Sequence, residues 1–210
     1  MEYMERPDWL LFLPHLPASP SSLRVLVWRR LRAAGAVGLQ SGLWILTRGP
    51  EHEQSLLDLV REVERQGGTA AVFAATPLDL ALAARITEQS RADRDREYDE
   101  FRERCAALLA ELDTESDRRK FTFAELEENE HELQKLTSWL AKIAARDFFG
   151  ASGAAAARAA FEQCQRRLAR YARTLYASEG LAPEDIDLDA NAGQTLPDLA
   201  NLPEPDAEPE

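Results

Sequence analysis

The sequence predicts an α+β fold: a ferredoxin-like βαββαβ domain, then an antiparallel three-helix bundle or coiled coil, then a disordered acidic tail. Three observations carry that prediction. Residues 9–75 alternate short apolar runs with helical patterns in the order strand, helix, strand, strand, helix, strand. Residues 80–180 hold three long segments whose apolar positions recur at 3-4 spacing, the signature of a helical seam. Residues 181–210 carry nine acids, no base and no aromatic, a composition too polar to offset the entropy of ordering. The expected boundaries are therefore 1–79, 80–180 and 181–210.

Each element has its own local cause. "WLLFLPHL" (9–16) is a short apolar run closed by prolines and reads as a buried strand. Ser19 is the expected N-cap of the first helix, with Pro20 at its first position. Leu23, Val27, Leu31 and Ala34 share one face of that helix, and Gly35 stops it. "AVGLQ" and "LWILTR" flank Ser41-Gly42, a hairpin signal. Pro50 opens a second helix with Leu56, Leu57, Val60 and Val63 on its apolar side, ended by Gly67-Gly68. "TAAVFAA" (69–75) is the last strand.

The rhythm then changes. "TPLD" (76–79) reads as a capping box, with Thr76 as cap, Pro77 at the first helical position and Asp79 at the third. The helix it opens extends to about Leu112 and carries Tyr98, Phe101, Cys105, Leu108 and Leu112 along one seam. "TFAE" (122–125) is a second capping box, opening a helix with Leu133, Leu136, Leu140 and Ile143 that stops near Gly150. From about Ser152 a third helix carries Ala154, Ala157, Phe161, Cys164, Leu168, Tyr171 and Leu175. Three seams joined by short loops describe an antiparallel bundle.

Bulk properties bound the function. The chain has 210 residues and a formal net charge of -12. The charge is uneven: residues 9–50 sum to +5 with no Asp or Glu, whereas residues 181–210 sum to -9. The acidity is thus mostly a property of the tail, and screening keeps it from deciding the local field elsewhere. No apolar run approaches the ~18 residues of a membrane span. The start, "MEYMERPDW", is not a signal peptide. Two cysteines, Cys105 and Cys164, match no zinc or redox spacing. A cytoplasmic location without a membrane partner is expected.

The candidate chemistry is concentrated in "SPSSLRVLVWRRLRAAGAVGLQSGLWIL" (19–46). On a helical wheel Arg24, Arg29 and Arg32 fall opposite Leu23 and Val27, and Arg30 falls close to the apolar face. A charged helix face is ordinarily just solvated, its stems lying along the surface. Here no carboxylate sits at i+4 spacing to lace the arginines, so their charge must be met from elsewhere. Guanidinium forks suit phosphate and tetrahedral oxyanions.

Other motifs point to ordinary structure. His15 and His52 lack partners at metal spacing. Glu128-x-x-His131 resembles one arm of a carboxylate-bridged metal site, which needs a second copy on another helix. Both cysteines sit at seam positions, where they act as small hydrophobes. No nucleophile elbow or cofactor motif occurs, so no catalytic residue, metal or cofactor is expected and the chain reads as a non-enzyme. "ARDFFGASG" (145–153) reads as a structural turn, and Tyr98 as core.

"SSLRV", "VWRRLRAAGAV" and "GLWIL", followed by "EHEQSLLDLVREVERQGGTAAVF", together resemble the N-terminal domain of ChrB, the chromate-resistance regulatory protein. "REYDEF" and "ELEENEHELQKLTSWLAKIAARDFFG" are similar to the rest of that domain, so the resemblance spans about residues 9–178. More distantly, the same segment is similar to the middle region of PaaX-type repressors and to the small ferredoxin-like nucleases of CRISPR adaptation. The resemblance implies a cytoplasmic transcriptional regulator of a chromate-efflux operon, with DNA and chromate as partners. Carried over by residue, it marks Arg24, Trp28, Arg29 and Arg30, with Gly35, Gly42 and Trp44 in the helix stop and hairpin. With Arg32 and Arg48 these give the candidate DNA- or oxyanion-binding set: Arg24, Trp28, Arg29, Arg30, Arg32 and Arg48. A homodimer would double that set. Three departures stand out. The downstream sensing domain usual in the family is not expected here. Leu26 replaces a further arginine. "LPHLP" lacks the aspartate that the nucleases use to hold metal, so nuclease activity is not expected. The alternative reading is a direct sensor of chromate or sulfate, or an accessory protein of chromate detoxification.

Overall fold

A computed structural model describes residues 9–19, 21–40, 42–117 and 121–180. Nine elements follow in order: β1 (Trp9–His15), α1 (Ser22–Ala33), β2 (Val37–Gln40), β3 (Leu43–Thr47), α2 (Pro50–Arg65), β4 (Thr69–Ala75), α3 (Leu80–Asp117), α4 (Phe123–Ala144) and α5 (Ala154–Ser178). Among the described residues the fold is α+β, with one four-stranded antiparallel sheet and five helices. The acidic tail and the residues Pro20 and Ser41 lie outside the described residues. Among the described residues no helix is long and apolar enough to cross a membrane. The described residues divide into two compact units, the first running to residue 93 and taking in 146–149, the second made of 94–145 and the residues from 150 on.

In the first unit the sheet order is β2-β3-β1-β4. The apolar run of β1 puts it in the middle, antiparallel to β3 and β4, with Leu10 opposite Leu46 and Leu11 opposite Phe73. Pro14 lies past the last β1–β3 pair, where its missing N–H costs no central ladder bond. Period-two alternation divides β1 between two faces. Leu10 and Phe12 join Leu23, Val27 and Leu31 of α1 and Leu56, Leu59 and Val63 of α2 in one core. Trp9 packs on the other face with Val37, Ile45 and Ile86. Each fully buried Leu or Phe contributes roughly 1.5–3 kcal/mol.

Four local expectations shift. The N-cap of α1 is Ser21 rather than Ser19, and it makes no side-chain cap bond. On α2 Leu59 is buried and Leu57 is exposed, because the stripe through Leu56 and Val63 passes Leu59 and Val60 and leaves Leu57 to one side. The long helix starts at Leu80, with Asp79 rather than Thr76 as its cap: the Ala81 N–H donates to Asp79 Oδ1 at 2.9 Å. Asp outranks Thr as a cap. That helix also continues past Leu112 to Asp117. Gly35 stops α1 with φ +81°. Gly68 is required by proximity, since a Cβ there would lie 2.8 Å from Val63 Cγ1 and 3.0 Å from the His15 carbonyl.

In the second unit the seams of α3, α4 and α5 meet in one core that includes Phe101, Leu112, Leu140, Ile143, Phe161 and Leu175. Phe101 meets Trp139 edge-on at 5.6 Å. Thr122 caps α4, its Oγ1 accepting from the Glu125 N–H at 3.2 Å. Asp95 of α3 caps α5, accepting from the Gly153 N–H at 2.7 Å and from the Ser152 hydroxyl at 3.2 Å. Cys105 and Cys164 are free thiols buried in this core. The Cys164 thiol donates to the Cys105 carbonyl at 3.4 Å. Hydrogen bonding with Cys164, then burial, pushes the Cys105 thiol far up.

Candidate functional site

Helix α1 turns Leu23, Val27 and Leu31 inward and carries no acid in its first turn. The 3.6 period then sends Arg24, Val25, Trp28, Arg29 and Arg30 outward, and all five are exposed. Trp28 keeps 54% of its surface and Val25 44%. Val25, Trp28, Arg29 and Arg32 lie at i, i+3, i+4 and i+7, so one stripe carries an aromatic ring beside two guanidinium groups.

The six candidate residues differ in what they already touch. Arg24 Nη1 donates to the carbonyls of Ala18 at 2.6 Å and Pro17 at 3.1 Å, which ties α1 to the connection from β1. Arg32 Nη1 meets Asp93 Oδ2 at 3.2 Å, and the Asp93 side chain is only 12% exposed. Arg48 Nε pairs with Glu53 Oε1 at 2.7 Å at the start of α2. Arg29 and Arg30 have no ion pair or side-chain hydrogen bond among the described residues. Arg30 lines an open groove of about 510 Å³ with Pro50, Glu51, Gln54, Ser55 and Asp58, so two carboxylates share its surroundings. Arg29 and Trp28 therefore form the centre of the outward surface, with Arg24 and Arg30 at its borders.

Such a surface can contact an anion through guanidinium donors and cover an apolar or aromatic group with Trp28. Asp93 is the residue that sequence reasoning missed. It lies 61 positions from Arg32, and no local pattern links the two. The structure also accounts for His52 without a ligand: its Nδ1 lies 2.8 Å from the Thr47 carbonyl, and its ring meets Phe148 edge-on at 5.1 Å. Glu128 and His131 are exposed on α4. No group of three or more His, Cys, Asp or Glu side chains suited to a metal ion occurs among the described residues.

The model of the family described as "Protein ChrB, N-terminal" matches residues 24–181. No curated protein and no solved structure matches the chain.

Proposed function

The chain belongs to the ChrB N-terminal family, and from that membership we propose that it is a non-enzymatic, cytoplasmic regulator of chromate resistance whose α1 surface contacts DNA. The carrying observation is the exposed pair Trp28 and Arg29, bordered by Arg24 and Arg30, on a helix without acids. Phosphate contacts position a protein on a duplex, and exposed guanidinium groups supply them. The order β2-β3-β1-β4, with α1 and α2 sharing one core, supports the ferredoxin-like reading of the sheet. The single core shared by α3, α4 and α5 supports the bundle reading. A homodimer would double the few arginines that one α1 offers.

The test is binding of the purified protein to duplex DNA from upstream of its own gene. Arg29→Ala/Arg30→Ala should abolish binding at moderate salt while leaving the circular dichroism spectrum unchanged. Undiminished binding would sink the proposal. A second reading, direct recognition of chromate or sulfate, is supported by Arg29, which is exposed and has no ion pair among the described residues, and Trp28 beside it serves as the reporter. Chromate at millimolar concentration should then change the fluorescence of the wild type, and the change should vanish in Trp28→Phe.

A further inference from the structure

Among the described residues strand β4 is an edge of the sheet, pairing with β1 alone. The two edges differ sharply. β2 is four residues long, and its pairing with β3 is irregular between Gly38 and Gln40. β4 is seven residues long and keeps one unbroken register with β1. Natural sheets guard such edges with charge, proline or a bulge. β4 has none of these, and no charged residue occurs anywhere from Gln66 to Leu78 in a chain that is 30% charged. Apolar surface gathers at the same place. Phe73 is 55% exposed, Leu13, diagonal to it on β1 and opposite Ala71, is 42% exposed, the connection after β4 adds Leu78 at 93%, and the first residue of α3, Leu80, is 63% exposed. Scattered exposed leucines mean little, but a cluster along an unguarded strand marks an interaction surface.

We infer that β4 is the edge through which two copies of this chain join their sheets, antiparallel and centred on Val72. A second copy is the occupant that the strand itself specifies. A two-fold axis normal to the sheet keeps each face on its own side, so like-facing residues must stand opposite one another. Full overlap of the seven residues then pairs Thr69 with the partner's Ala75, Ala71 with the partner's Phe73, and Val72 with the partner's Val72. Each Phe73 ring meets an alanine, a large-to-small fit repeated on both sides of the axis. The absence of charge lets two chains of net charge -12 approach along this line. The same symmetry puts both copies of α1 on one side of an eight-stranded sheet. The pairing does not depend on what α1 binds, because it is measured without nucleic acid.

The experiment is light scattering coupled to size exclusion on the full chain at micromolar concentration. The wild type should run at twice the protomer mass. Phe73→Lys, at an exposed position that leaves the core intact, should raise the dimer dissociation constant by about 100-fold or more, because it places uncompensated charge in the joint. In Val72→Cys the two introduced thiols face each other across the axis while Cys105 and Cys164 stay buried, so mild oxidation should yield a covalent dimer. A dimer that survives Phe73→Lys uses another surface and overturns the inference. So does a monomeric wild type. If that monomer dimerises only after residues 181–210 are removed, the edge is held by the chain's own end. If it stays monomeric, any occupant of the edge is another protein's extended segment.

Discussion

Replacing Arg29 and Arg30 together by alanine should remove most of the salt dependence that α1 gives to DNA binding. Arg32 is committed to Asp93, and Arg24 is turned back on the Pro17 and Ala18 carbonyls. Two guanidinium groups per protomer are left to meet phosphate. Each phosphate neutralised contributes about -0.9 to the slope of log K against log salt, giving about -1.8 for one protomer and about -3.6 for a pair. Between about 50 and 200 mM salt, affinity should fall about 12-fold for a protomer and about 150-fold for a pair. The assay is fluorescence anisotropy of a labelled duplex across that range. The double variant should flatten the slope, while Arg24→Ala should keep the greater part of it. Asp93→Ala should work in the opposite direction, since it releases Arg32 and steepens the slope by about 0.9 per protomer. A double variant with the wild-type slope would refute the reasoning. So would a wild-type slope beyond about -7, which needs more contacts than two copies of α1 can supply.

Gly35→Ala should destabilise the first unit by about 2 kcal/mol or more on thermal melting, because φ is +81° and the new Cβ would sit 2.9 Å from Phe148 Cε2. Tyr171 is pushed up to about 12 by burial and by the nearby Glu115 and Glu125 carboxylates. Its raised value favours the neutral phenol in the fold. The stability this adds is complete below the ordinary pKa of about 10 and is lost as pH rises through about 12. Tyr171→Phe should flatten the alkaline limb of denaturant midpoints measured against pH. Neither Cys105 nor Cys164 should react with a disulfide reagent in the native state, and both should react in guanidinium. Trp28→Ala should weaken nucleic-acid binding several-fold, on the order of 1 kcal/mol, without lowering the melting temperature.

What was legible in the sequence was local. The seam of α5 from Ala157 to Leu175 is buried at every position its period names, because one repeating face must meet one core. The Thr122 cap was legible because its acceptor and the N–H it satisfies lie three residues apart. Tertiary choices were not. Ser19 and Ser21 are equally good caps by type, so the start of α1 depends on packing. The exposure of Leu78 and Leu80 broke the rule that leucines go inside, and only the strand order shows that they adjoin an edge of the sheet. The partner of Arg32 comes from a helix that begins almost fifty positions later.

The acid-free stretch from 9 to 50 therefore overstates the local field. Three of its five arginines are met by acids from outside it: Asp93 takes Arg32, Glu53 takes Arg48, and Glu51 and Asp58 border Arg30, while Arg24 is held by the Pro17 and Ala18 carbonyls. Tertiary structure replaces the i, i+4 carboxylates whose absence drew attention, and most of that absence is explained without a ligand. Trp28 is not explained this way. Leaving more than half of an indole in water forgoes burial that a smaller or polar residue would not need. The stems of Arg24 and Arg32, at i−4 and i+4, can cover only its flanks. A partner that fills the remainder must offer an apolar face and negative charge within one helical turn. A nucleic acid offers both, sugar and base beside phosphate, whereas a tetrahedral oxyanion offers only charge. Trp28 is thus the residue that separates the two readings. If its truncation weakens DNA binding and leaves oxyanion binding untouched, the exposed ring belongs to a nucleic-acid surface. If neither changes, the arginines act alone.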